Sequence, residues 1–247
     1  MAILAAVLCF GGVRAPAQET AELPPLEHRM YVLHTGDTVR IDYARPAEPE
    51  RPPLIVILED RYGVQSYTRQ LLRVFAAHNY YAVTFPLKSH LEPEAYFNEP
   101  SLDSSDIERI VEITVDLQNE IGSNGKVGLF GAGIGGSIGL LAAERLPVFS
   151  GAFISYPHDK DLLLNTLDEI DIPVEVNIGK EDKRFDESEM FTFKMRYGSK
   201  TNKMVFRLFD DVSQFYLNPA HDQFDNEAFE RTLIKAMAFF LIALQPN

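Results

Sequence analysis

Residues Gly131-Ala132-Gly133-Ile134-Gly135-Gly136 stand between a short apolar run and an apolar helical stretch. A strand, a tight glycine turn and a helix in that order serve two chemistries. One is nucleophilic acyl transfer, in which a sharp elbow presents the Ser or Cys at the centre of the turn to a substrate. The other is dinucleotide binding, in which G-x-G-x-x-G lets backbone N–H groups approach a pyrophosphate at a helix N-terminus. Gly131, Gly133 and Gly136 satisfy the second pattern literally. The first has its layout but not its attacking atom, because Gly133 occupies the nucleophile position.

The two chemistries ask for different partners further along the chain. A dinucleotide turn follows the first strand of its fold, and an acid ends the following strand about 20 residues on. Here several elements precede the turn, and the following strand runs into Ser155-Tyr156-Pro157-His158-Asp159, where the acid comes late and beyond a proline. Acyl transfer asks for an acid and then a histidine on later strands. Asp182 stands at a strand end in Gly179-Lys180-Glu181-Asp182, where that acid belongs. Position therefore assigns the turn to the elbow.

Other polar residues read more plainly. Ser137, one helical turn past Gly133, reads as a small packing residue, and His221 in Pro219-Ala220-His221-Asp222 as a surface histidine. His28, His34, His78 and His90 are scattered, with no pair at metal-ligand spacing on one helix or hairpin, so no zinc site is expected. Asp60, Glu181 and Asp182 read as a solvated acidic rim rather than a divalent-cation site.

The elements that must position these residues alternate. Arg29–His34 and Thr38–Tyr43 flank Thr35-Gly36-Asp37 and predict a β-hairpin. A proline-rich loop follows, then a continuous apolar strand at Leu54–Leu58, a helix over Ser66–His78 and a strand at Tyr81–Phe85. Lys88–Leu102 reads as an irregular polar excursion. A helix capped by Ser104 runs to near Gly122. After the strand Val127–Phe130 and the glycine turn come a helix to Leu146, strands at Gly151–Ser155, Val174–Ile178 and Met204–Phe209, and a closing helix over Asn226–Leu244. This is an α/β chain with a mostly parallel sheet covered by helices on both faces. In such sheets ligands sit beyond the carboxyl ends of the strands.

Charge and the N-terminus bound the partners and the compartment. With 36 acids against 23 bases the net charge is −13, which argues against nucleic acid or an anionic membrane as partner. Met1–Val13 is apolar and is followed by Arg14-Ala15-Pro16-Ala17, an A-x-A site. The run is too short to span a bilayer and suits an export signal. Residues 1–17 are read as that signal, 18–247 as one domain, and the protein as exported to a periplasm or the exterior. Cys9, the chain's one cysteine, lies in the signal, so the mature chain is expected to carry no disulfide or thiolate.

Taken together, Leu58-Glu59-Asp60-Arg61-Tyr62-Gly63-Val64, Gly131 to Gly136, Gly179 to Asp182, Asp211-Val212-Ser213-Gln214-Phe215-Tyr216 and the closing helix resemble the dienelactone hydrolase family of α/β hydrolases over roughly residues 28–244. The family's elbow is G-x-C-x-G-G, its acid follows a strand as G-x-x-D, and its histidine sits in G-H-x-F. The resemblance implies the α/β-hydrolase fold and a triad at Gly133, Asp182 and Gln214, of which only the acid Asp182 survives. The family's pocket glutamate has become Asp60, or has slipped to Glu59. Its oxyanion hole implies the backbone N–H groups of Ile134 and Arg61, with Tyr156 at the next strand end also lining the pocket. Glycine offers no attacking atom and Gln214 cannot titrate. The expectation is an exported, non-catalytic relative that needs no cofactor and whose pocket still holds a small anion or carboxylate. The alternatives are an active carboxylic-ester hydrolase with relocated residues, and a nucleotide-binding oxidoreductase using the glycine turn.

Overall fold

The computed structural model describes residues 22–87, 104–145, 147–160, 170–197 and 204–246. The segments read as the export signal and as the excursion at 88–102 lie outside the described residues. Eight strands form one sheet: β1 (Leu26–Val32), β2 (Thr38–Ala44), β3 (Leu54–Leu58), β4 (Tyr81–Thr84), β5 (Val127–Ala132), β6 (Gly151–Ser155), β7 (Val174–Gly179) and β8 (Met204–Phe209). Their order is β1-β2-β4-β3-β5-β6-β7-β8. β1 and β2 are antiparallel, β2 meets β4 antiparallel, and from β4 onward the pairs are parallel. The described helices are α1 (Ser66–Ala77), α2 (Ser104–Glu120), α3 (Gly133–Arg145), α4 (Glu187–Tyr197) and α5 (Asn226–Ala243).

The continuous apolar strands are buried on both faces because helices cover both. In β3, Leu54, Val56 and Leu58 join a core with Ile110 and Ile113 of α2, Ile138 of α3 and Phe193 of α4. Ile55 and Ile57, pointing the other way, join Leu72 and Phe75 of α1 and Phe240 of α5. Right-handed crossovers place successive helices on the face their direction of travel requires. After β3 the chain steps to β4 on one side, and after β5 it steps to β6 on the other. The direction of winding therefore reverses between β3 and β5, and the crevice beyond their carboxyl ends is where such sheets bind ligands.

The antiparallel edge is fastened to α2 by side chains. Arg29, Tyr31 and His34 of β1 and its turn bond Glu120, Asp116 and Glu112 in that order. From Arg29 to Tyr31 two strand residues rise about 6.8 Å, close to the rise of about 6 Å over the four helix residues from Asp116 to Glu120, and His34 in the turn that follows meets Glu112 one helical turn further on.

Two elements differ from the sequence reading. β5 runs to Ala132 and α3 begins at Gly133, so strand joins helix through a single residue with φ +54°. Helix α4 was not foreseen. Its apolar residues do not form one stripe, since Met190 and Phe193 are buried while Phe191 and Met195 are exposed. A local signal existed. In Asp186-Glu187-Ser188-Glu189, the Asp186 carboxylate accepts from the Glu189 N–H at 2.7 Å and Glu189 accepts from the Asp186 N–H at 3.0 Å. This is a reciprocal capping box.

The face shared by α1 and α5 depends on aromatic rings that meet edge to face. Phe75 lies 5.9 Å from Phe130, 6.0 Å from Phe240 and 6.2 Å from Tyr80, ring centre to ring centre. Replacing it with alanine removes these contacts and leaves a cavity. Phe75→Ala is expected to lower unfolding free energy by about 3–5 kcal/mol, read from urea denaturation.

Candidate functional site

The crevice between β3 and β5 is where the chain brings most of the expected residues together. Gly133 opens α3 in the left-handed region at φ +54°, a conformation that L side chains rarely adopt and glycine adopts freely. A Cβ at this position would lie 2.9 Å from the Asp60 Cβ, 3.2 Å from the Asp60 Cα and 3.5 Å from the Tyr156 ring. The space that an elbow side chain would enter is thus already filled. The other glycines of the turn are also consumed by packing. Gly135 donates its N–H to the Glu59 carbonyl at 3.0 Å, and a Cβ there would sit 2.2 Å from that oxygen. The Gly135 N–H is thus spent on the end of β3 rather than offered to a phosphate group.

Asp60 is fully buried. One carboxylate oxygen accepts from the Tyr62 N–H at 2.9 Å, and the other lies 3.4 Å from both the Tyr156 hydroxyl and the Asn218 amide. Burial raises its pKa, and the hydrogen bonds from Tyr62, Asn218 and Tyr156 oppose that rise. Glu59, also buried, bonds the Tyr67 hydroxyl. Burial first, and the neighbouring Asp60 charge second, push its pKa up to about 8. Two adjacent carboxyls in a dry site repel when both are ionised, so Glu59 carries a proton at neutral pH. The expected solvated acidic rim is corrected here for Asp60 and Asp182, both of which are interior groups.

The acid position is closed in a different way. Asp182 is buried and takes a two-pronged bond from Arg184, 2.9 Å from Nε and 2.5 Å from Nη2, while the same Nη2 reaches the Tyr156 carbonyl at 3.3 Å. A planar guanidinium matched to a carboxylate leaves it little capacity to orient an imidazole. The loop carrying Gln214 is bound to this strand end, with the Glu181 N–H donating to the Val212 carbonyl at 2.9 Å. The Gln214 Nε2 is buried without a hydrogen-bond partner among the described residues. No hydrogen bond joins it to Asp182 among those residues.

Aromatic groups roof the site. Tyr156 and Phe215 both have left-handed backbones, φ +36° and +60°, and their rings meet at 5.9 Å. Such bulky residues are strained there and persist only where their surroundings enforce the shape. The Arg61 guanidinium lies 4.9 Å over Phe215. Ile134 is buried. The His221 ring sits 4.5 Å from Phe215 and 5.7 Å from Tyr62, so it belongs to this roof rather than to open surface.

His158 lies against the elbow, with its N–H donating to the Gly133 carbonyl at 3.1 Å. Burial, then the charges of Arg184 and Arg61, lower its pKa and keep the ring neutral. Ser137 is not merely small. Its hydroxyl accepts from the His158 and Asp159 N–H groups at 3.0 and 3.2 Å, holding that loop on α3. Arg184, Asn218 and Tyr67 were not read from the sequence as site residues. Arg184 was the most accessible, two positions after an acid already singled out. Among the described residues no group of His, Cys, Asp and Glu forms a metal centre, and no helix is long and apolar enough to cross a membrane.

The state of Glu59 sets a pH dependence. Its folded pKa lies near 8 against an ordinary 4.5, so between those values the native state keeps a proton that the unfolded chain gives up. Stability is therefore highest at the acid end of this window and falls as pH rises through it, by up to about 1.4 kcal/mol per pH unit. Glu59→Gln is expected to flatten this decline, measured as denaturation midpoints at intervals from about pH 5 to pH 8. An unchanged slope would assign the proton elsewhere.

Comparison with known proteins agrees with the fold and the family expected from the residues. The model of the dienelactone hydrolase family matches residues 41–244. A Klebsiella pneumoniae protein assigned as a dienelactone hydrolase superposes with TM-score 0.75 at 16% identity, covering 88% of this chain and 99% of its own. A dienelactone hydrolase-like promiscuous phosphotriesterase from metagenomic libraries gives TM-score 0.75 at 12% identity, covering 91% and 100%. Thermogutta terrifontis esterase 2, phosphonylated by sarin, gives 0.66 at 14% identity, covering 93% and 100%. No curated sequence matches significantly. With an α/β-hydrolase fold and a family match over most of its length, the chain belongs to the dienelactone hydrolase family.

Proposed function

We propose that this is an exported family member that no longer hydrolyses esters and instead holds a small anionic ligand. The observation that carries the loss of hydrolysis is the filled elbow. The Asp60 side chain stands 2.9 Å from where a side chain at Gly133 would begin, in a position that needs a mobile nucleophile and a reachable carbonyl. The absence of a titrating group at Gln214 and the capture of Asp182 by Arg184 point the same way. Export rests on the apolar run Met1–Val13 and the A-x-A site before Gln18.

A second reading, an active ester hydrolase with relocated residues, draws on His158, whose backbone N–H bonds the Gly133 carbonyl and whose ring is kept neutral. Hydrolysis of p-nitrophenyl acetate separates the two. The purified protein is expected to release product at the buffer rate. Enzyme-dependent turnover that disappears in His158→Ala would establish the second reading instead.

The packing makes a further demand. Gly133→Cys with Gln214→His rebuilds a nucleophile and base on paper. The new side chain must displace Asp60 and adopt a strained backbone, so the pair is expected to lose about 2–4 kcal/mol of stability and stay inactive. Esterase activity in this pair with Asp60 left in place would refute the filled-site reading. Export is checked by N-terminal sequencing of protein recovered outside the cytoplasm, which should begin at Gln18.

A further inference from the structure

We propose that a cleft between β2, the end of β4 and the start of α1 binds a small organic carboxylate, held between Arg40 and Arg69. The proposal deepens the ligand-holding reading above and rests on it, but it moves the ligand away from the filled elbow. The cleft measures about 250 Å³ and is lined by Arg40, Asp42, Tyr62, Gly63, Arg69 and Pro86, among others. That is below the usual size of drug-sized pockets, so the occupant is small.

The charges converge on one feature. Asp42 is buried on β2 and takes the Nε of Arg40 on one oxygen and the Nε of Arg69 on the other, each at 2.7 Å. Both arginine side chains are partly exposed, at 50% and 37%. Each spends its Nε edge on Asp42 and keeps its terminal nitrogens, which have no other partner among the described residues. Two cations around one carboxylate leave a net single positive charge. A monoanion completes this balance, and a fork of paired N–H donors suits the planar carboxylate group.

The backbone adds to the same sign. Gly63 and Val64 lead into the N-terminus of α1, whose first turn carries no acid to offset its partial positive charge. Apolar surface flanks the cations. Tyr62 is 46% exposed, Pro86 also lines the cleft, and exposed Met30 pairs in register with Arg40 on the same face. A hydrocarbon body attached to the carboxylate would rest there.

The probe is benzoate, titrated by calorimetry at low salt, with inorganic phosphate in parallel. Benzoate is expected to bind the native protein. Arg40→Gln and Arg69→Gln should each weaken binding tenfold or more, Asp42→Asn should tighten it several-fold by releasing both cations, and Arg207→Gln at the far edge should change it less than twofold. Each arginine variant leaves Asp42 one cationic partner. Should a variant fail to fold, amide shifts in the native protein must move at Gly63 and Val64 on adding benzoate. Benzoate binding untouched by either arginine change would overturn the cleft while leaving a ligand elsewhere. Phosphate binding as tight as benzoate would overturn the organic carboxylate. No benzoate binding would overturn the cleft, and binding of neither benzoate nor phosphate would overturn the ligand-holding reading as well. Because the readout is binding, ester turnover would refute the loss of hydrolysis without deciding this result.

Discussion

Asp60 is packed so closely beneath Gly133 that several chain segments take their positions from it. Its carboxylate gathers an N–H from the loop after β3, the Tyr156 hydroxyl from the end of β6 and the Asn218 amide from the loop before α5. Its Cβ takes the space an elbow side chain would use. A buried carboxylate without such partners would cost several kcal/mol, so these three segments are tied to one another through it. The elbow glycine permits the arrangement, because any larger residue would compete with Asp60 for one volume.

The acids of this crevice divide by environment rather than by type. Glu59 meets burial and the neighbouring Asp60 charge, and keeps its proton. Asp182 meets the Arg184 fork and is neutralised as an ion pair. Asp42, further along the sheet, is shared between two arginines whose hydrogen bonds outweigh the effect of burial and lower its pKa. In each case the partner, not the carboxyl, decides what the site can do. Strain has likewise been redistributed. The elbow relaxes at a glycine, while Tyr156 and Phe215 take up left-handed backbones in the roof above it.

Much of this was legible from local pattern. The continuous apolar run at Leu54–Leu58 reads as a strand buried on both faces, and it is one. Gly133 and Asp182 were visible because each sits in a short motif at a strand end. What could not be read were contacts between residues far apart in sequence. Asn218 reaches Asp60 across 158 positions, and no spacing encodes that. Arg184 was missed although near its partner, because an exposed and a buried arginine look alike in sequence. Ser137 is the buried packing residue its type suggests, whereas the ring contacts of His221 with Phe215 and Tyr62 leave no mark in the sequence, which shows a residue's type but not what packs against it. Helix α4 was missed because its signal lay in a capping box rather than in an apolar stripe.

The polar ladder between β1 and α2 has a consequence for how the sheet ends. An outermost strand has one free side and can slide along its neighbour by a residue, which would turn each side chain to the opposite face. In β1 such a slide would separate Arg29 from Glu120 and Tyr31 from Asp116 together. The ladder acts as a proofreading device for strand alignment: a wrongly seated β1 forfeits every rung at once, so the chain can tell its correct edge from the nearest incorrect one.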